Sequence, residues 1–179
     1  MNPITGVPLS GIYLNKNTFT SNIVEIDQVA DSLHFSGAEQ KDLQSDFMDA
    51  VKNGDLSRVL DFISKSNIDI NHIPTPEHRI LSGIPAIMEA VANNHLDILK
   101  ALINAGADVN IKNKHKVDAL VYAAELGFTE HVELLINSGA NVFAKTLAGD
   151  SALQRAKENG HKACADLIVA AQKKHNHKV

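Results

Sequence analysis

The chain has 179 residues, a single cysteine and a formal net charge of −4. That length suits one ordinary domain or a short array, and the lone Cys164 excludes an internal disulfide framework and a cysteine-cluster zinc site. No apolar run reaches the roughly 18 residues a spanning helix needs, and the negative balance gives no general pull toward nucleic acid or anionic lipid.

The opening Met1-Asn2-Pro3-Ile4-Thr5 lacks the basic and apolar regions of a secretory signal. Pro3, Gly6, Pro8 and Gly11 then punctuate a polar, nearly uncharged start. Ile23, Val24, Ile26, Val29, Ala30 and Leu33 fit a short amphipathic helix over residues 23–35. Ser36-Gly37-Ala38-Glu39 reads as a capping box for the helix that follows. Between Glu25 and Asp61 nine acids face three bases, a net −6, and a solvated end cap explains that acidic end. A helical N-terminal cap is expected over residues 23–52, because the end of a stacked array must turn a polar face outward.

From Ser45 onward the chain repeats itself. Ala90, Ala123 and Ala156 are spaced by 33 residues, as are Asn94, Gly127 and Gly160. A fixed period of this size marks a stack of helical pairs, each burying its apolar face only against its neighbours. The first unit runs from Ser45 to Gly54, continues in an outer helix Leu56 to Ile63, and closes on a strand Ile68-Asp69-Ile70-Asn71. It lies 40 residues before the second, and the seven extra residues fall at 72–78, where Pro74 and Pro76 exclude helix.

The second unit has helices from Pro85 to Val91 and His95 to Ile103, with proline tolerated at a helix start. In the third, Asp118 is placed to N-cap a helix over residues 118–124, Gly127 to break it in a left-handed conformation, and Thr129 to cap the next helix. Ser138-Gly139 ends that helix, and residues 140–143 read as extended. The fourth unit has Ser151 to Ala156, Asn159-Gly160-His161, and an outer helix from Ala163 to Ala171.

Leu102-Ile103-Asn104-Ala105-Gly106-Ala107-Asp108-Val109-Asn110 resembles the closing signature of an ankyrin repeat. Ala123-Ala124-Glu125-Leu126-Gly127 is similar to that family's inner-helix end, and Gly160-His161 to its Gly-His pair. The resemblance covers about residues 41–172. It implies an all-α, ankyrin-type helical solenoid of about four stacked helix-turn-helix repeats with a non-repeat N-terminal cap. The divisions expected are a non-repeat segment and cap at 1–40, a divergent first repeat at 41–80 with its insertion at 72–78, repeats at 81–113 and 114–146, a C-terminal capping repeat at 147–172, and a basic tail at 173–179. The family's Thr-Pro-Leu-His opening stands here as Pro85-Ala86-Ile87-Met88, Asp118-Ala119-Leu120-Val121 and Ser151-Ala152-Leu153-Gln154. None keeps the histidine, so apolar packing is expected to carry more of the stability.

Chemistry is hard to place on this pattern. His72, His78, His175 and His177 do not supply the three or four fixed ligands of a zinc site. His95, His115, His131 and His161 fit surface or inter-repeat roles, and Cys164 sits among Ala163, Ala165 and Leu167 as a small packing residue. No nucleophile elbow, P-loop or dinucleotide fingerprint occurs. The expectation is a protein without catalytic, cofactor-binding or metal-binding residues. Asn110, with Leu102, Asp108 and Val109, resembles the pattern favoured by animal asparaginyl hydroxylases, but bonding to the next repeat's backbone explains it better.

The resemblance implies a non-catalytic protein–protein interaction scaffold that uses hairpin tips and the concave ends of its inner helices. By motif position those residues are Leu81, Ser82, Ile84 and Asn93, then Lys114, His115, Val117, Glu125 and Leu126, then Leu147, Asp150 and Glu158. Leu81, Ile84, Val117, Leu126 and Leu147 are apolar where the fold does not require it, beside Lys112, Lys114 and Lys116. The expected partner is a protein, with no nucleic acid and no membrane, bound by a monomer in the cytoplasm of a bacterium or, for a translocated effector, in host cytosol. The alternative is a regulator or inhibitor acting through the non-repeat N-terminal segment, with the repeats as its platform.

Overall fold

Ala50, Ala90, Ala123 and Ala156 stand at one position of four successive helices, and each is wholly buried. A methyl group there lets the next helix lie close, and that close approach sets the architecture. The computed structural model describes residues 37–65, 68–74 and 83–176. The helix predicted over 23–35, the Ser36 cap, most of the 72–78 insertion and the end of the basic tail lie outside those residues.

The first repeat pairs α1 (Gly37–Asn53) with α2 (Leu56–Lys65). The second pairs α3 (Ala86–Ala92) with α4 (Leu96–Asn104). The third pairs α5 (Ala119–Leu126) with α6 (Thr129–Asn137), and the fourth α7 (Ala152–Glu158) with α8 (Lys162–Asn176). Inner helices α1, α3, α5 and α7 pack in one row and outer helices α2, α4, α6 and α8 in another. This is the all-α ankyrin-type solenoid the period predicts. The predicted cap and first inner helix meet in one continuous helix of 17 residues.

The core is a continuous ladder. Inner helices contribute Ile87, Met88, Leu120 and Val121, and outer helices Ile98, Leu99, Leu102, Leu135 and Ile168, all essentially inaccessible. Each helical turn-over repeats the same bond. The amide of Asp55, His95, Phe128 and His161 donates to the carbonyl of Ala50, Ala90, Ala123 and Ala156 at 2.8–3.0 Å. The residue before each of those donors has positive φ: Gly54, Asn94, Gly127 and Gly160. Asn94 holds this conformation at φ 59°, as asparagine tolerates it better than other side chains.

Several local expectations need correction. Thr129 does not cap α6: it is the first helical residue, and its hydroxyl lies 3.6 Å from Cys164 Sγ. Residues 68–71 and 140–143 are not strands. Asp69, Asp108 and Asn141 each accept, through Oδ1, from the amide two residues on, and these Asx turns curl the backbone. Among the described residues the sole β pairing is an isolated bridge between Lys145 and Ser151. The outer helix of the last repeat continues to Asn176, so Lys173 to Asn176 belong to α8. Gln172 Nε2 donates to Val142 O at 2.9 Å and His175 meets Phe143 edge-on at 5.6 Å, so the added turns cover the last Asx turn.

Polar stitches join the repeats, more than the loss of the opening histidine led us to expect. Asn71 Oδ1 accepts from Asp108 N at 2.8 Å, and Asn110 Oδ1 from Asn141 N at 2.7 Å. The imidazoles of His95 and His161 each reach back to the preceding inner helix. Their partners are Lys52 O at 3.1 Å and Glu125 O at 3.0 Å, and since a carbonyl only accepts, Nε2 carries the proton.

Candidate protein-binding surface

The loop after α4, residues 105–118, and the loop after α6, residues 138–151, project as two adjacent fingers. Each is closed by a polar turn. In the first, Asn113 Oδ1 accepts from His115 N at 2.9 Å and Val117 N at 3.1 Å. In the second, Thr146 Oγ1 accepts from Asp150 N at 3.2 Å. Leu147 N donates to His115 O at 2.9 Å and ties the two tips together. Asp118 and Ser151 then cap the inner helices, accepting from Val121 N at 3.0 Å and Gln154 N at 3.2 Å. Burial pushes the Asp118 carboxyl up, against the lowering effect of the Val121 amide and Lys112.

Between these fingers and α7 lies an open groove of about 320 Å³, lined by His115, Val117, Thr146, Leu147, Ala148 and Arg155. It brings together three of the residues named from sequence: His115, Val117 and Leu147. Leu147 is 66% exposed, the most open large apolar side chain among the described residues, and Leu126 is 42% exposed at the end of α5. Val117 and Ile84 are half-buried and pack on the core.

The other expected residues have local work. Asn93 closes α3, donating from Nδ2 to Glu89 O at 2.9 Å. Glu158 accepts from Gln154 Nε2 at 2.9 Å. Asp150 is paired with Arg155 at 2.8 Å. Glu125 and Lys114 are exposed. Leu81 and Ser82 lie outside the described residues, as does the segment on which the N-terminal alternative rests.

Arg155 is the groove residue that motif position did not supply. A signal for it existed: stepping back by the period from Arg155 gives Tyr122, Glu89 and Asp49. This row runs along the inner helices from two acids through a tyrosine to a base. Among the described residues no group of three or more His, Cys, Asp or Glu side chains could hold a metal, and no helix is long and apolar enough to cross a membrane.

Comparison with known proteins agrees with the geometry. The family model described as Ankyrin repeats (3 copies) matches residues 47–146 and 87–178. The chain belongs to the ankyrin-repeat family. Members of this family generally mediate protein–protein interaction and are typically non-catalytic. The chain is 39% identical over 82 residues to a probable E3 ubiquitin-protein ligase, XBOS33, of Oryza sativa subsp. japonica, a match covering 45% of this chain and 16% of that protein. It is 38% identical over 80 residues to M-phase phosphoprotein 8 of Homo sapiens, covering 45% and 9%. An ankyrin repeat and KH domain-containing protein of Caenorhabditis briggsae is 33% identical over 95 residues, covering 52% and 4%. The chain thus spans at most 16% of the length of these relatives.

Proposed function

We propose that this chain is a non-catalytic binding module that holds a partner protein on the finger tips and inner-helix ends of its third and fourth repeats. The exposure of Leu147 carries the reading. Leu147 stands two-thirds open beside the half-buried Val117 in a groove that the chain leaves uncovered. Leu126 continues the apolar surface one helix back. Apolar side chains of this size on a polar array are the usual centre of an interface, and their truncation there costs about 2 kcal/mol or more.

Val117 packs on the core, so charge at that position would disturb the fold as well as the surface. Leu126→Asp with Leu147→Asp is the cleaner test. The double variant should melt within a few degrees of the unsubstituted protein and lose capture of its native partner by about tenfold or more. Undiminished capture by the folded variant would place the interface elsewhere.

A further inference from the structure

The groove has a charge as well as a shape. None of its six lining residues is acidic, and the nearest acid, Asp150, is already paired with Arg155. Arg155 keeps about a third of its side chain (32%) exposed in the groove wall. Lys114 and Lys116 flank His115 on the first finger, and Lys145 adjoins Thr146 on the second. All three lysines are exposed, and among the described residues none forms an ion pair. These are free cations around an apolar floor, in a chain whose total charge is −4.

The row beneath the fingers sharpens this. At the position that Arg155 holds in α7, α1 has Asp49 and α3 has Glu89. An anionic ligand is therefore attracted at the C-terminal end of the row and repelled at the other. We propose that the groove takes an acidic peptide segment with one apolar anchor. The anchor sits on Val117, Leu147 and Ala148, and the flanking carboxylates meet Lys114, Lys145 and Arg155. This rests on the surface proposed above and adds the chemistry of what it binds. A base in a partly desolvated wall gives specificity through Arg155, while the exposed lysines mainly raise the encounter rate and make it salt-dependent.

The test is fluorescence anisotropy with a labelled short peptide of Asp and Glu around a single central Leu. Three comparisons are needed: the same peptide with Lys for every acid, with Gly for the Leu, and a labelled single-stranded oligonucleotide as another polyanion. The acidic Leu peptide should bind at least about tenfold tighter than each, and weaken several-fold as ionic strength rises from about 0.05 to about 0.2 M. Lys114→Glu with Lys145→Glu, both on exposed positions, should abolish that binding and favour the Lys peptide. Equal binding of the acidic and basic peptides, tighter binding of the oligonucleotide, or indifference to the charge reversal would each overturn the proposal. If native capture is lost in the Leu126→Asp, Leu147→Asp protein while these peptides fail to discriminate, the surface stands and its acidic ligand falls.

Discussion

Asn110 is held at both ends of its amide by the repeat that follows. Its Oδ1 accepts from Asn141 N at 2.7 Å, and its Nδ2 donates to Gly139 O at 3.2 Å. The side chain thus replaces a strand pairing between fingers that have no strands. Asn110→Ala removes both bonds and should cost about 1–2 kcal/mol in chemical denaturation. Asn110→Asp keeps the acceptor and should lose less. Equal losses for the two would show that the Oδ1 contact contributes little.

Gly127 and Gly160 share a conformation but not a neighbourhood. Both have φ near +77°, yet a Cβ at Gly127 would lie 2.5 Å from His161 Nδ1, while at Gly160 nothing stands within 4 Å. Gly160→Ala should cost only the left-handed backbone, about 1 kcal/mol. Gly127→Ala must also displace the imidazole and break its bond to Glu125 O, for a total of about 2–4 kcal/mol. Urea denaturation of the two variants side by side checks this, and indistinguishable midpoints would refute the role given to His161.

Asp118 caps α5 from a buried position, 3% exposed. Asp118→Ala should cost about 1–2 kcal/mol. Asp118→Ser copies the cap that Ser151 provides one period later, and should stay within about 0.5 kcal/mol of the native protein. The folded carboxyl is raised above its usual value by burial, so its contribution is fully present below pH 3.8 and declines as pH rises through the folded value. The gap between native and Asp118→Ser proteins should therefore shift in favour of serine from acid toward neutral pH.

His131 occupies the outer-helix position that Ile98 and Cys164 hold in the neighbouring repeats, and it is 2% exposed with Nε2 unpaired. Burial lowers its pKa, with His95 and Lys100 acting in the same direction and Glu130 opposing. A depressed folded pKa means that the unfolded chain takes up the proton first. Stability is complete above pH 6.5, the ordinary imidazole value, and falls as pH drops from there through the folded value. His131→Leu should remove that share of the acid sensitivity, so its melting temperature should gain on the native protein as pH is lowered. A constant difference would show that His131 does not titrate in this window.

What the sequence made legible was what the period controls. Ala123, Gly127, Asp118 and Ser151 are dictated by helix approach, helix breaking and capping, and each could be placed from spacing alone. Thr129 misled because a cap-forming residue beside a helix start is equally at home one step inside it. The Asx turns at Asp69, Asp108 and Asn141 were missed because β-branched neighbours such as Ile70 and Val109 suggest extended chain. His131 was read as a surface or inter-repeat residue, although its register with Ile98 and Cys164 was the available clue. For the binding surface, motif position found the tips but could not tell which apolar side chains the core would claim. Ile84 and Val117 are claimed in part, and Leu126 and Leu147 are left open.

The back-reaching imidazoles are interrupted once. His95 clasps the first repeat and His161 the third, but the corresponding place between the second and third repeats is taken by Phe128, which has no proton to give. The same junction carries the buried His131 ring, 5.3 Å from Phe128. The array therefore has a seam across its middle, where acid loosens what no helix-end clasp holds shut. Mild acid should part it there first, into two blocks of two repeats, with amide exchange quickening in α4 and α6 before it does in α2 or α8.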